Sequence, residues 1–351
     1  MLSRRLAVLK AYRTETSDAE VRLSSNELPY DPPPHLREKA LRKLSEVSFG
    51  RYPDPAALEL REAVAEFFGV APENILLGNG SDELIYYLSM GVGELGDALL
   101  VPVPTFPMYE VSADALGRPK ILVELDQSFD LNLQDILKAL NERKTAMAFY
   151  SYPNNPTGNL FSRDRIESVR DRGIFTVVDE AYYHYCGETF LRDALSREDT
   201  VVLRTLSKIG LAGLRVGILI GKESIIAELN KLRLPFNITY PSQVIASVML
   251  REGKDFIEDS VGKVIRERER LKREMEAVGV EVFPSKANFL LFRTPFEAKA
   301  LHGELLRRGV LVRDMSYMPR LERCLRVSVG KPEENDRFLE ALYDSLKALS
   351  P

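Results

Sequence analysis

The 351-residue sequence is poor in the residues that build covalent frameworks and metal sites, with two cysteines, three histidines and no tryptophan. Cys186 and Cys324 lie far apart and neither belongs to a C-x-x-C pair, so no disulfide framework is predicted and a reducing, cytoplasmic location is expected. His35, His184 and His302 share no motif spacing, which argues against a zinc site.

The sequence also lacks long apolar runs and any strong excess of one charge. No apolar run approaches the ~18 residues of a membrane span, and the apolar stretch within residues 1–18 is too short for a secretory signal. The formal net charge is -4, which gives no reason to expect a nucleic-acid partner. Acids interrupt the basic run 265–275 at helical spacing, so we interpret it as a solvated helix face.

Short apolar runs alternate with longer amphipathic ones over the first two thirds of the chain. The strand candidates are residues 98–101, 121–125, 146–150, 175–178, 201–204 and 217–220, and the helical patterns between them include 82–92, 107–116, 133–142 and 163–172. This alternation predicts an α/β fold with a mostly parallel sheet flanked by helices, because βαβ units produce that order.

The character of the sequence changes after about residue 236. Long charged helical patterns come first and are followed by short strands and a last helix: 241–251, 255–278, 289–292, 297–308, 310–313, 324–329 and 333–348. We therefore predict a large domain over residues 45–237 and a smaller α+β domain from residues 1–44 and 238–351. The proline-rich segment 28–35 is expected to run extended over the surface.

Polar segments directly follow four strand candidates. They are GNGSDE (78–83), YPNNPTG (152–158), DEAYY (179–183) and TLSK (205–208). In open parallel sheets, ligands bind beyond the carboxyl ends of the strands. The four segments are therefore predicted to converge on one site.

Three of these segments carry groups with a possible chemical role. Ser81 and Asp82 begin a helix, where free N–H groups favour an anion such as phosphate. Asp179 ends an apolar strand, and a buried carboxylate there needs a cation. Lys208 is a candidate Schiff-base nucleophile, with Arg215 as a nearby phosphate ligand.

Each group taken singly also has an ordinary structural interpretation. The first segment can be a capped helix start, Asp179 can cap a helix or pair with an arginine, and Lys208 can extend to solvent. Together, a phosphate site, a carboxylate for a ring nitrogen and an amine for an aldehyde are what pyridoxal 5'-phosphate (PLP) requires.

Taken together, the motifs of the sequence resemble those of a known family. The segments above, together with LSSNELPY (23–30), RYPD (51–54), PTFPMY (104–109), VRD (312–314) and CLRVSVGKPEENDRF (324–338), resemble the fold type I PLP-dependent aminotransferases, and within them the histidinol-phosphate aminotransferases. The match covers nearly the whole chain. The resemblance implies a large PLP-binding domain, a smaller domain and a homodimer with shared active sites.

The resemblance also implies roles for individual residues. Lys208 is similar to the lysine that binds the cofactor covalently and acts in catalysis, and Asp179 to the carboxylate that holds the ring nitrogen protonated. The other cofactor-binding positions are Asn155 and Tyr182 at the phenolic oxygen, Tyr109 stacked on the ring, and Ser81, Asp82, Thr205, Ser207, Arg215 and the neighbouring subunit's Tyr52 at the phosphate. Arg326 matches a substrate-carboxylate ligand and Arg313 a substrate-phosphate ligand.

The sequence departs from the family pattern at three places. The segment between Lys208 and GLAGLR is one residue shorter, which affects the placement of Arg215. Met315 stands where a further arginine is common, so any role of that arginine in substrate binding is lost or moved. Ile218 replaces a frequent aromatic residue.

The resemblance predicts transamination between histidinol phosphate and 2-oxoglutarate, in histidine biosynthesis, with imidazole-acetol phosphate and glutamate as products. Two other enzymes of this fold remain open as alternatives: a decarboxylase of a phosphorylated amino acid such as threonine phosphate, and an aromatic amino acid aminotransferase. A PLP-binding regulator is a further alternative, but such proteins carry an appended DNA-binding unit, for which the sequence before LSSNE leaves no room.

Overall fold

The structure is a computed structural model that describes residue 9 and residues 18–350. The prediction concerning the apolar stretch at the start of the chain therefore lies outside the described residues. Within the described part, no helix is long and apolar enough to cross a membrane.

A seven-stranded mixed sheet forms the centre of the molecule, with strand order β2-β8-β7-β6-β5-β3-β4. Its strands are β2 (Ile75–Asn79), β3 (Ala98–Val103), β4 (Lys120–Glu124), β5 (Thr145–Ser151), β6 (Phe175–Asp179), β7 (Thr200–Thr205) and β8 (Val216–Ile220). Strands β3 to β7 pair in parallel, whereas β8 is antiparallel to both of its neighbours, β2 and β7. The mostly parallel sheet predicted from the sequence is confirmed.

Both faces of the large sheet are covered, which explains the continuous apolar runs of its strands. Val177 and Val178 are both fully buried, but they belong to two different apolar clusters on opposite faces. In chain order, the first ten α-helices of the described residues are α1 (Pro34–Ser45), α2 (Leu58–Phe68), α3 (Gly80–Gly91), α4 (Met108–Leu116), α5 (Leu133–Glu142), α6 (Arg163–Arg170), α7 (Tyr183–Cys186), α8 (Leu191–Ser196), α9 (Glu223–Leu229) and α10 (Tyr240–Glu252).

A smaller antiparallel sheet has the strand order β12-β13-β10-β9. Its strands are β9 (Glu281–Val282), β10 (Phe289–Arg293), β12 (Arg313–Asp314) and β13 (Cys324–Ser328), and a separate parallel pair joins β1 (Val21–Arg22) to β11 (Val310–Leu311). Helices α11 (Lys254–Ala277), α12 (Ala298–Arg307) and α13 (Pro332–Leu349) complete this part. The predicted domain limits at residues 45 and 237 stay a prediction. Helix α10, assigned to the small domain, packs against α1 of the same predicted domain and also against α2 of the large one.

The proline-rich segment differs in part from its prediction. Helix α1 begins at Pro34, so the extended segment ends two residues earlier than expected. Proline is suited to the first turn of a helix because its missing N–H would have no partner there. Leu28 is buried in the apolar cluster that also contains Leu36, so this segment is anchored and does not simply lie on the surface.

Candidate active site

A cavity of about 390 Å³ lies at the carboxyl ends of β2, β5, β6 and β7. The four polar segments converge there, because β8 runs against both β2 and β7 and so leaves those two strands parallel. Most of the predicted site residues line this cavity: Ser81, Asp82, Asn155, Asp179, Tyr182, Thr205, Ser207, Lys208, Arg215, Arg313 and Arg326.

Asp179 ends β6 and lies at the buried side of the cavity, with 3% of its surface exposed. Its carboxylate accepts hydrogen bonds from the Tyr109 hydroxyl at 2.8 Å and from the Ala181 backbone N–H at 3.1 Å. Burial raises the pKa of the Asp179 carboxyl to about 6 and outweighs these two hydrogen bonds, which act to lower it. A cation in the cavity would therefore stabilise the ionised form.

Tyr109 is fully buried and does not line the cavity, which corrects the prediction that it stacks on a bound ring. Its ring stacks on Phe149 of β5, with centroids 4.7 Å apart, and its hydroxyl donates a hydrogen bond to the Asp179 carboxylate. Phe106 is the aromatic side chain that lines the cavity at this edge. Both residues belong to PTFPMY around the start of α4, and the packing of Tyr109 on Phe149 leaves Phe106 as the one that faces the cavity.

Lys208 ends a short 3₁₀ turn, Leu206–Lys208, that follows β7 directly. Thr205 caps this turn, since its hydroxyl accepts the Ser207 N–H at 3.1 Å. The Tyr185 hydroxyl donates to the Lys208 carbonyl at 2.6 Å, and the Lys208 amine donates to the Ser25 carbonyl at 3.3 Å. The lysine is thus held at both its backbone and its amine.

The surroundings of Lys208 favour a reactive amine. Burial, followed by the positive charge of Arg326, lowers the pKa of the Lys208 amine to about 8, while Glu27 acts in the opposite direction. An amine with such a pKa is substantially unprotonated at mildly alkaline pH, as a nucleophile or a general base requires.

The start of α3 also lines the cavity and has the properties of an anion site. The first N–H groups of a helix have no intrahelical acceptor, and Ser81 and Asp82 stand in this first turn. A Cβ at Gly217 would overlap the backbone of Gly80 and Ser81, so glycine is required for β8 to lie against the turn. The Arg215 guanidinium contacts Asp82 at 3.0 Å and lies above Gly80, where any side chain would collide with it.

Arg326 approaches the cavity from β13 in the smaller sheet. Its guanidinium donates to the Asn155 side-chain oxygen and, at 2.7 Å, to the Ser24 carbonyl, and it lies 5.3 Å from the Phe289 ring centroid. Arg313 pairs with Arg326 across β12 and β13, so two guanidinium groups originate from neighbouring positions at one side of the cavity. This arrangement suits anionic groups of a substrate.

Tyr52 lies apart from this cavity. It is 78% exposed and stacks on Phe236, with ring centroids 4.4 Å apart. Its predicted contact with the phosphate site of a neighbouring subunit stays a prediction.

The structure adds residues to the site that the sequence interpretation did not select. They line the cavity from the N-terminal segment and from the segment after β12: Ser24, Ser25, Asn26, Met315, Tyr317 and Met318. The first three belong to LSSNELPY, a motif that signalled the family but gave no role to its individual side chains.

The fold and the site together define an α/β enzyme in which a buried carboxylate, a lysine amine with a lowered pKa and the first turn of a helix share one cavity. The chain belongs to the family described as aminotransferase class I and II, whose model matches residues 19–342.

Similar proteins align with this chain over nearly its full length. The chain is 60% identical to the histidinol-phosphate aminotransferase of Aquifex aeolicus (strain VF5), over 100% of this chain and 99% of that protein. It is 47% identical to that of Hydrogenobaculum sp. (strain Y04AAS1), over 98% of each. Among solved structures, the histidinol-phosphate aminotransferase from Sinorhizobium meliloti in complex with pyridoxal-5'-phosphate has TM-score 0.88 at 22% identity, covering 99% of this chain and 98% of that one. This last likeness establishes the fold.

Proposed function

We propose that the protein is a PLP-dependent transaminase that moves the amino group of histidinol phosphate to 2-oxoglutarate, giving imidazole-acetol phosphate and glutamate in histidine biosynthesis. The observation that carries the proposal is that Lys208 and Asp179 line the same cavity as the α3 anion site. The 60% identity to a histidinol-phosphate aminotransferase over the whole chain supports the choice of substrate.

The residues of the cavity fit PLP. A protonated ring nitrogen would supply the cation that the buried Asp179 carboxylate lacks among its hydrogen-bond donors, which are one hydroxyl and one amide. The phosphate would lie at the start of α3, held by Ser81, Asp82, Thr205, Ser207 and Arg215, where glycines leave the backbone accessible. Lys208 would hold the cofactor covalently through its amine.

PLP supplies an aldehyde carbon that takes up the amino group and a protonated ring that withdraws electrons from the substrate. The negative charge of Asp179 would keep the ring nitrogen protonated, and the hydrogen bonds from Tyr109 and Ala181 hold the carboxylate in position. The Lys208 amine would act as the general base and take the proton from the substrate carbon that bears the amino group. The same amine, then protonated, would act as the general acid that gives this proton back during the transfer.

Other side chains bind and orient. Asn155 and Tyr182 face the cavity as hydrogen-bond partners for the phenolic oxygen of the cofactor, and Phe106 lies where a ring can pack against it. Arg326 binds the carboxylate of 2-oxoglutarate or glutamate, and Arg313 binds the phosphate of histidinol phosphate. Met315 and Tyr317 give the same side of the cavity an apolar and aromatic surface against which an imidazole ring can pack.

We further propose a cytoplasmic homodimer. The ring of Tyr52 is an exposed aromatic, and Phe49 nearby in sequence is 84% exposed, as expected of residues that a second subunit covers. In this arrangement Tyr52 reaches the phosphate site of the partner. Both cysteines are free, which fits a reducing compartment.

The test is an absorbance spectrum of the purified protein with PLP, followed by addition of histidinol phosphate. We expect the spectrum of the bound cofactor to change to that of its aminated form, and 2-oxoglutarate to restore it with release of stoichiometric glutamate. Release of carbon dioxide without glutamate, or faster conversion by phenylalanine than by histidinol phosphate, would contradict the proposal.

A further inference from the structure

The side chain of Asn26 contacts a predicted cofactor-binding residue. Its amide nitrogen donates to the Tyr182 hydroxyl oxygen at 3.0 Å, and both residues are buried, with 2% and 4% of their surfaces exposed. The two residues are 156 positions apart in the sequence. A buried hydrogen bond of this kind fixes which lone pair of the hydroxyl is occupied.

Ser328 determines which end of the Asn26 amide faces Tyr182. The Ser328 hydroxyl oxygen accepts the Asn26 backbone N–H at 2.8 Å and lies 3.0 Å from the Asn26 side-chain oxygen, to which it donates. In this arrangement the Ser328 hydroxyl donates its proton to the side-chain oxygen, and the side-chain nitrogen is the end that meets Tyr182. The network thus places an N–H donor against the Tyr182 hydroxyl oxygen.

The backbone at Asn26 is also specialised. Its φ is 55°, in the left-handed region that asparagine adopts more readily than most residues. Its carbonyl accepts a hydrogen bond from the Asn288 side chain at 2.9 Å. Ser328 and Arg326 lie on the same strand, and Arg326 donates to the Ser24 carbonyl at 2.7 Å, so the substrate side of the cavity and residues 24–26 are joined directly.

We propose that Asn26 is a positioning residue for Tyr182: its amide N–H occupies one lone pair of the hydroxyl oxygen and directs the hydroxyl proton towards the cavity. This inference rests on the proposed function, in which Tyr182 donates to the phenolic oxygen of PLP. Without Asn26, the Tyr182 hydroxyl oxygen loses this donor, and its proton points to the cofactor for less of the time.

The expected signature is spectroscopic. A hydrogen-bond donor stabilises the deprotonated state of the oxygen that it contacts, so loss of the donor moves deprotonation of the bound cofactor to higher pH. The test substitution is Asn26→Gly, because glycine accepts the left-handed backbone and removes only the side chain. Asn230→Gly is the control, since Asn230 is exposed and does not line the cavity.

The holoenzyme is titrated by absorbance in five forms: wild type, Asn26→Gly, Tyr182→Phe, the double variant and the control Asn230→Gly, which should keep the wild-type midpoint. We expect Asn26→Gly to move the pH midpoint of the cofactor transition upwards by about half a unit to one unit, with kcat/KM reduced about tenfold. In the Tyr182→Phe background, Asn26→Gly should cause no further shift, because the hydroxyl through which it acts is gone.

Two results would overturn the inference: an unchanged midpoint in Asn26→Gly, or a shift of equal size in the Tyr182→Phe background. If Asn26→Gly does not fold, Ser328→Ala releases the orientation of the same amide and is titrated in the same two backgrounds, with a smaller upward shift expected only when Tyr182 is present. Failure of the wild-type protein to bind PLP would instead refute the proposed function, so the two failures are distinguishable.

Discussion

The two walls of the cavity differ in how far apart their residues lie in the sequence. The sheet wall consists of Asp179, Thr205, Ser207 and Lys208, which immediately follow two adjacent parallel strands. The outer wall consists of Ser24, Asn26, Arg313, Met315 and Arg326, and its hydrogen bonds join residues 302 positions apart.

This difference has a physical consequence for each wall. The sheet wall is fixed by the register of β6 and β7, so its geometry survives as long as the sheet does. The outer wall depends on contacts between the N-terminal segment and the smaller sheet, such as Arg326 with Ser24 and Asn26 with Ser328. We therefore expect substitutions in the sheet wall to remove chemistry, and those of the outer-wall arginines, Arg313 and Arg326, to change substrate preference.

The largest expected effect is that of Lys208→Ala. Loss of the amine removes both the covalent attachment of the cofactor and the general base, so turnover should fall about 10⁴-fold or more. Single-turnover absorbance with histidinol phosphate measures this loss. Lys222→Ala is the control, because that lysine is partly exposed and pairs with Glu198; an equal loss there, or normal rates in Lys208→Ala, would contradict the assignment.

Asp179→Ala should come next, with a loss of about 10³-fold in kcat and partial retention of the cofactor. The phosphate contacts at α3 remain, whereas the ring nitrogen loses the carboxylate that keeps it protonated. Equilibrium dialysis and steady-state rates on the same preparation separate the two effects. Near-normal kcat would show that Asp179 has only a structural role.

The sheet wall could be predicted from the sequence because its residues are adjacent to the strands that position them. The apolar runs 175–178 and 201–204 predicted the ends of β6 and β7 to within one residue, and the polar residues that follow had to lie at one edge. The reversal of β8 also had a signal, since only ten residues separate it from β7, too few for a parallel crossover.

The outer wall could not be predicted in the same way. Whether Asn26 meets Tyr182 depends on how the N-terminal segment crosses the smaller sheet, which no local pattern encodes. The prediction that Tyr109, and not Phe106, lines the cavity failed for a similar reason. Both residues lie near the start of α4, and tertiary packing on Phe149 buries Tyr109. Recognition of the motif gave the position of the segment but not the direction of its side chains.

A third prediction concerns the substrate preference of the outer wall. Arg313→Ala should lower kcat/KM for histidinol phosphate about 10²-fold, because a charge-assisted contact with the phosphate is lost. The half-reaction with glutamate, which lacks a phosphate, should change by less than about threefold. Stopped-flow absorbance of each half-reaction makes the comparison, and equal losses for both substrates would assign Arg313 a general role in place of a phosphate-specific one.

The smallest effect is expected for the stability of the protein without cofactor. The pKa of Asp179 is about 6 in the folded chain against an ordinary value of 3.8, so the folded state binds more protons between these values. The contribution of this carboxyl to stability is therefore most favourable below about pH 4 and declines as the pH rises through 6. In Asp179→Asn, which cannot ionise, the free energy of unfolding should rise by about 3 kcal/mol relative to wild type between pH 4 and pH 7. Urea unfolding of both apoproteins measures the difference.

Addition of PLP should cancel this difference, because the ring cation then stabilises the wild-type carboxylate. A difference in the free energy of unfolding that does not depend on pH would show that Asp179 is ionised in the folded chain without cost.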